Sequence, residues 1–162
     1  MKRAIFRHVG IFPAIAVGLI ASSAYGQSRP VCSLVTADEA ATVLGARTAP
    51  RSDMPDFECT YFVSNVLQMV AEVQTGDAAR QNFTGIRADA AKQGVTWRAT
   101  PSLGPQAYCS SGSEPSGEKT TACMVLKGGR LFIAIVSDKR RGGPSQLLDK
   151  LIPVVRKAVA RM

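Results

Sequence analysis

Histidine is nearly absent from this chain, since its one histidine, His8, lies within the first 26 residues. Residues 27–162 therefore carry no imidazole. This absence excludes Ser-His-Asp and Cys-His nucleophile pairs, histidine acid–base catalysis and histidine metal ligands from that part of the chain. Neither type of glycine-rich phosphate-binding loop is present. We predict no catalytic residue, no metal site and no cofactor, and we expect a protein that is not an enzyme.

Two further patterns lack the context that chemistry would need. Residues 116–119 have the Ser-x-x-Lys spacing of β-lactamases, but they lie in a predicted loop, and the chain lacks the companion motifs of those enzymes. Asp53, Asp56 and Glu58 form an acidic cluster that does not follow the calcium-loop pattern. We interpret the cluster as part of a solvated loop.

The chain also lacks an apolar run that could span a bilayer. Residues 9–20 are mostly apolar, but glycine and proline interrupt them and they fall short of the ~20 residues required. A basic start at Lys2-Arg3 and a small-x-small site at residues 24–26 surround this run, as in a secretory signal peptide. We predict that residues 1–26 are cleaved and that residues 27–162 form one domain, periplasmic or secreted in a bacterium, with no transmembrane segment.

Residues 27–162 contain all four cysteines of the chain. An even cysteine count in an exported protein favours disulfides. Three pairings are possible from the sequence. We favour Cys32 with Cys59 and Cys109 with Cys123, because each pair closes a local loop between neighbouring elements.

The charge is mildly basic once the leader is set aside. The formal net charge is +8, but residues 27–162 carry 17 Lys and Arg against 12 Asp and Glu, which leaves +5. Basic residues are not interleaved with aromatic ones, so we predict no nucleic-acid partner. Seven of the 17 cations fall in the last 24 residues. We interpret them as the solvated face of a core-packed terminal helix.

Three helices are indicated by start and stop signals. Thr36 and Glu39 have capping-box spacing, and Gly45 provides a stop. A second helix is predicted over residues 77–93, with Asp77 as its cap and Gly94 after its end. A third is predicted from Pro144 at its first position to the end of the chain, with a kink at Pro153.

Alternating or continuous apolar residues predict strands over residues 57–64, 66–74, 95–99, 106–109, 121–126 and 130–136. The first two form a hairpin, and Gly128-Gly129 makes a tight turn between the last two. Residues 46–55 are predicted as a polar loop, and residues 110–119 as a flexible loop whose base is clamped by Cys109 and Cys123. We predict one α+β domain with an antiparallel sheet of about five to six strands, three helices packed on it and two disulfides.

Four short motifs carry a family resemblance: residues 32–36 (CSLVT), the helix that ends at Leu44-Gly45, residues 59–61 (CTY) and residues 103–108 (LGPQAY). In this order they resemble a family of small exported bacterial envelope proteins, often lipoproteins, of unknown function. The resemblance implies a bridge between the first two cysteines. This chain differs in lacking a lipidation signal and in having Pro105-Gln106 where the family has an acidic residue.

We therefore expect a non-catalytic module that binds a protein, glycan or lipid of the bacterial envelope. The favoured binding surface is the loop between Cys109 and Cys123 together with two nearby aromatic residues. Its candidate binding residues are Ser111, Glu114 and Glu118 of the loop and the aromatic Trp97 and Tyr108. Two alternatives remain open. One is a hydrolase that works without histidine, and the other is an inhibitor of a secreted enzyme, which would present a disulfide-braced loop.

Overall fold

The structure is a computed structural model, and it describes residues 30–92, 95–113, 118–140 and 146–162. Residues 31–33 and 101–103 form short 3-10 turns. The signal-peptide prediction lies outside the described residues. In chain order the helices and strands are α1 (Ala37–Leu44), β1 (Ala49–Arg51), β2 (Glu58–Ser64), β3 (Leu67–Thr75), α2 (Gly76–Lys92), β4 (Arg98–Ala99), β5 (Ala107–Ser113), β6 (Lys119–Lys127), β7 (Arg130–Asp138) and α3 (Leu147–Arg161).

The strands form one antiparallel sheet in the order β1-β2-β3-β7-β6-β5-β4. The long strands β3 and β7 pair over nine positions at its centre. This arrangement confirms the α+β class and the three helices. The predicted strand count of five to six is wrong, because the described residues form seven strands.

The missed strand is β1, which lies within the segment predicted as a polar loop. Its three residues are all exposed, and Pro50 removes one backbone donor. Proline is tolerated there because, among the described strands, β1 lies at the edge of the sheet and pairs with β2. A short, polar, proline-containing strand has no apolar alternation by which a sequence pattern can find it.

Helices cover the two faces of the sheet unequally. Helices α1 and α3 pack against each other and over one face, the α1/α3 side, where they bury most of the core. Helix α2 covers the opposite face, the α2 side, and its main contacts are with β3, β6 and β7. As predicted, the apolar stripe of α3 is buried, with Leu147, Leu151, Val155 and Val159 in the core.

Helix α1 begins and ends as its sequence predicts. Thr36 Oγ1 accepts a hydrogen bond from the Glu39 amide at 3.2 Å, and Glu39 Oε2 accepts one from the Thr36 amide at 3.0 Å. Gly45 follows with φ at 72°, the left-handed conformation that ends helices. The capping-box prediction is confirmed.

The boundaries of the other two helices are only partly tested. Asp77 lies in the first turn of α2, which starts at Gly76, so it is not the residue before the helix. The predicted stop at Gly94 and the predicted start at Pro144 lie outside the described residues. Helix α3 begins at Leu147 and contains Pro153.

Two hairpins join the last three long strands. Gly128 and Gly129 both have positive φ in the β6–β7 turn, which confirms the predicted turn. The β5–β6 hairpin extends further than predicted, because β5 continues to Ser113 and β6 starts at Lys119. Cys109 and Cys123 therefore lie opposite each other inside paired strands and do not mark the base of a loop.

Candidate functional site

The predicted aromatic binding residues lie on the α2 side of the sheet. The Tyr108 ring lies 5.7 Å from the Phe83 ring, and the Arg87 guanidinium lies 3.8 Å from the Tyr108 ring centre. Trp97 packs against the same cluster. Both aromatic side chains are half-buried, so helix α2 already provides much of their contact surface.

The polar members of the predicted site lie elsewhere. Ser111 shares the sheet face of Cys109, opposite to Tyr108, and its hydroxyl lies 3.1 Å from that of Thr121. Glu118 lies 3.7 Å from Lys139. Glu114 is outside the described residues. The structure does not bring the described members together on one surface, and a binding role for any of them stays a prediction.

Both predicted disulfides are present, and both brace the α1/α3 side. Cys32–Cys59 ties the 3-10 turn before α1 to β2, and Cys109–Cys123 joins β5 to β6. Cys59, Cys109 and Cys123 are buried, and no cysteine of the described residues is free. Three of the four cysteines are buried and Cys32 is half-buried, so we assign both bonds a structural role. Two structural disulfides fit an extracytoplasmic protein.

Glu39 is a tightly held carboxylate on the α1/α3 side. Arg161, at the end of α3, donates to both of its oxygens at 2.6 and 2.7 Å and also to the Leu34 carbonyl. Hydrogen bonding from Arg161 lowers the pKa of Glu39 to about 2. Nearby, Tyr61 donates to the Val35 carbonyl at 2.6 Å, and burial raises the pKa of Tyr61 to about 12. These groups are satisfied within the fold, so we assign them to stability.

The β1–β2 end of the α2 side differs in leaving large apolar side chains in solvent. Met54, Phe57 and Phe62 are 56%, 61% and 40% exposed. Phe57 was predicted to start β2 with its side chain buried, and this is wrong. Its amide and that of Glu58 both donate to the Met54 carbonyl, so a turn places Phe57 outside the strand.

Two carboxylates lie among these apolar groups. Glu58 on β2 is directly opposite Glu72 on β3, with both side chains on the α2 side of the sheet. Burial, together with the charge of Glu58, raises the pKa of Glu72. Thr60 donates to Glu58 at 3.0 Å. No salt bridge joins Glu58 or Glu72 to a cation in the part of the chain that the structure describes.

Two shallow depressions meet at Glu58. One, of about 240 Å³, is lined by the β1 end and by Thr60 and Phe62. The other, of about 430 Å³, is lined by Met54, Phe57, Glu72 and Gln74 among others. Arg51, whose guanidinium lies 5.8 Å from the Phe62 ring centre, borders the first depression. We call Met54, Phe57, Glu58, Phe62 and Glu72 the open sheet surface.

The open sheet surface is only partly visible in the sequence. The prediction that Asp53, Asp56 and Glu58 lie in a solvated loop is wrong for Glu58. Glu58 is instead part of β2 and pairs in register with Glu72, 14 residues later in the chain. The signal that could have revealed the surface is two large apolar residues, Met54 and Phe57, within an otherwise polar segment.

A second concave region lies beside helix α3 on the opposite side of the sheet. It has a volume of about 500 Å³ and lies between the turn at residues 103–106, the β6–β7 hairpin and the last turns of α3. Its apolar floor includes Leu103, Val125 and Val159, and its polar edge includes Lys127 and Arg156. We call this region the α3 groove.

The described residues contain neither a candidate metal site nor a helix that could cross a membrane. Over residues 30–92, 95–113, 118–140 and 146–162, no three His, Cys, Asp or Glu side chains are grouped so that they could hold a metal ion. Within the same ranges, no helix has both the length and the apolar character needed to cross a membrane.

Comparison with known proteins gives no family. No protein-family model matches the chain, and no curated protein matches it. A crystal structure from Bacteroides thetaiotaomicron VPI-5482 is a distant structural neighbour, with 13% sequence identity and a TM-score of 0.35. The alignment covers 64% of this chain and 38% of that chain, so this chain matches well under half of its neighbour. A likeness at this level carries no argument about fold or function.

Proposed function

We propose that this protein is an exported, non-catalytic binding module of the bacterial envelope and that the open sheet surface docks a protein partner. The observation that carries the proposal is the exposure of Met54, Phe57 and Phe62 around two carboxylates that lack a cationic partner in the described residues. Grouped exposed apolar side chains mark interaction sites, whereas scattered ones need no explanation.

The composition of the surface supports a protein partner over a small substrate. Its depressions are shallow and meet at Glu58, so an extended ligand can occupy both. Aromatic residues and methionine are enriched at protein interfaces and supply most of their affinity.

Charge complementarity defines the partner segment. Residues 27–162 are basic overall, yet Glu58 and Glu72 place two carboxylates side by side at this end of the molecule. A lysine or arginine of the partner would relieve their repulsion, and an apolar side chain next to it would cover Phe57 or Met54. The partner that fits is therefore a segment in which cationic and apolar residues lie close together.

Comparative capture from an envelope extract tests the proposal. The disulfide-intact protein and a Phe57→Ser/Glu58→Gln variant would be immobilised, and bound proteins would be identified by mass spectrometry. We expect a partner that binds the unsubstituted protein and loses about tenfold or more in affinity with the variant, as for loss of an interface hot spot. Val66→Ser is the matched control, because Val66 is also exposed but lies at the β2–β3 turn.

Two results contradict the proposal. If the partner is lost on replacement of residues 111–118 by a neutral linker and retained by the Phe57→Ser/Glu58→Gln variant, the hairpin predicted from the sequence is the binding surface instead. If the purified protein turns over a substrate in a hydrolase panel and one Ser, Asp or Glu substitution abolishes that turnover, the protein is an enzyme.

A further inference from the structure

We propose that the α3 groove binds an anionic amphiphile, specifically an acyl chain that ends in a carboxylate. The site is separate from the open sheet surface, since it lies on the α1/α3 side and shares none of its lining residues. Its volume of about 500 Å³ is within the range of small-molecule sites in proteins.

The floor of the groove is aliphatic. Leu103, Val125 and Val159 are at most 7% exposed, and Pro105 and Ala160 extend the apolar lining outward. Among the residues that the structure describes, those lining the groove include no aromatic or acidic side chain. An acyl chain laid on this floor would remove methylene groups from water, and each buried methylene favours binding by a similar increment.

Two cations stand at the edge of this floor. Lys127 Nζ donates to the Val159 carbonyl at 2.8 Å, which holds the ammonium over the last turn of α3 and leaves two of its three donors for a ligand. Arg156 lies three and four residues before Val159 and Ala160, on the same stripe of the helix. It is exposed and has no ion pair within the described ranges. A carboxylate head group complements this edge.

The backbone of the groove favours an acyl chain over an acidic peptide. The Leu126 amide donates to the Gln106 carbonyl, and the Gly104 amide donates to the Pro101 carbonyl. These wall donors are therefore already satisfied. A peptide would bury its own amide and carbonyl groups on an aliphatic floor, which is costly without partners. An acyl chain has no such groups.

Isothermal titration with dodecanoate below its micelle concentration tests the proposal on the disulfide-intact protein. We expect saturable one-to-one binding, with clearly weaker binding of dodecyltrimethylammonium and dodecyl maltoside, which share the tail and differ in head group. Arg156→Gln should weaken dodecanoate binding about three- to fivefold. Ala160→Trp, which fills the groove and keeps its charge, should weaken it about tenfold or more.

Lys150→Gln is the matched control, because it removes the same charge from α3 outside the groove. Its affinity for dodecanoate should equal that of the unsubstituted protein. Arg156 and Ala160 are both exposed, so neither substitution removes a core contact. The proposal is overturned if dodecanoate does not bind saturably, if the three head groups bind equally, or if Ala160→Trp leaves affinity unchanged. It is also overturned if a leucine–glutamate peptide binds more tightly than dodecanoate.

Discussion

The two sides of the sheet differ in whether their polar side chains have partners within the fold. On the α1/α3 side, Glu39 is paired with Arg161, Tyr61 has a backbone acceptor, and both disulfides connect elements of the fold. At the open end of the α2 side, Glu58 and Glu72 face each other without a cation in the described residues. The polar contacts of the α1/α3 side stabilise the fold, whereas the carboxylates at the open end of the α2 side are available to a partner. Changes on the first should therefore alter stability, and changes on the second should alter binding.

Removal of Cys32–Cys59 should give the largest effect. Its 27-residue separation is nearly twice the 14 of Cys109–Cys123, so its loss frees more of the unfolded chain. We expect the Cys32→Ala/Cys59→Ala variant to lose about 3.5 kcal/mol of unfolding free energy and the Cys109→Ala/Cys123→Ala variant about 3 kcal/mol. Urea denaturation of both variants measures this difference. A larger loss from the second pair would contradict the expected order.

Arg161→Met should rank next, because it leaves the buried Glu39 carboxylate without its main partner. We expect a loss of about 2 to 3 kcal/mol in unfolding free energy at pH 7. Lys157→Met is the matched control on the same helix, because Lys157 Nζ lies 3.6 Å from a Glu39 oxygen and the Lys157 side chain is 62% exposed. Its loss should stay below about 0.5 kcal/mol. Equal losses for the two variants would show that the bidentate geometry is unimportant.

Acid should remove the contribution of Glu39. Its pKa is lowered in the folded protein from 4.5 to about 2, so the stabilisation is present above pH 4.5 and disappears as the pH falls through 2. The full shift corresponds to about 3 kcal/mol. The difference in unfolding free energy between the unsubstituted protein and Glu39→Gln should narrow over this pH window. A difference that is independent of pH would rule out the ion pair as its source.

Glu72→Gln should have a smaller effect of opposite sign. Its pKa is raised by burial and by Glu58, so the ionised form destabilises the fold at neutral pH. We expect the substitution to increase unfolding free energy by about 0.5 kcal/mol at pH 7, the size of one cross-strand charge repulsion. The gain should vanish on acidification, as Glu72 in the unsubstituted protein takes up its proton. A loss of stability at pH 7 would show that Glu72 already has a favourable partner.

Phe57→Ser should change stability least, within about 0.5 kcal/mol, because its side chain is mostly in solvent. The same variant should lose partner binding. Thermal unfolding and capture by the same preparation separate the two properties. If stability falls by more than about 2 kcal/mol, Phe57 belongs to the core and the contrast between the two sides is wrong.

Local signals predicted most of the fold. The Thr36–Glu39 capping box, Gly45 and the Gly128-Gly129 turn each depend on residues within a few positions of one another, so the sequence displays them directly. The continuous apolar run from Leu131 to Val136 likewise predicted a central strand. The edge strand β1 was missed because it is stabilised by hydrogen bonds to β2, and the residues of β1 show no pattern that predicts this pairing.

The candidate surfaces were harder to predict because they depend on register between distant strands. Glu58 and Glu72 meet only because β2 and β3 pair at that offset. Tyr108 and Ser111 are close in sequence, yet strand alternation sends them to opposite faces. Residues three positions apart in a strand point to opposite faces. Because β5 extends to Ser113, Ser111 lies within the strand, and the predicted site is divided between the two faces.

By itself, the sequence determined that residues 27–162 contain no histidine and all four cysteines, and it indicated where the cap of α1 and the β6–β7 turn lie. These properties depend on residue identity or on the spacing of residues close together in the chain. Tertiary structure alone decided which carboxylates lie beside a cation, because Glu39 meets Arg161 across 122 residues, whereas Glu72 lies opposite another acid. Electrostatic pairing depends on distance in space, and only the folded chain sets that distance.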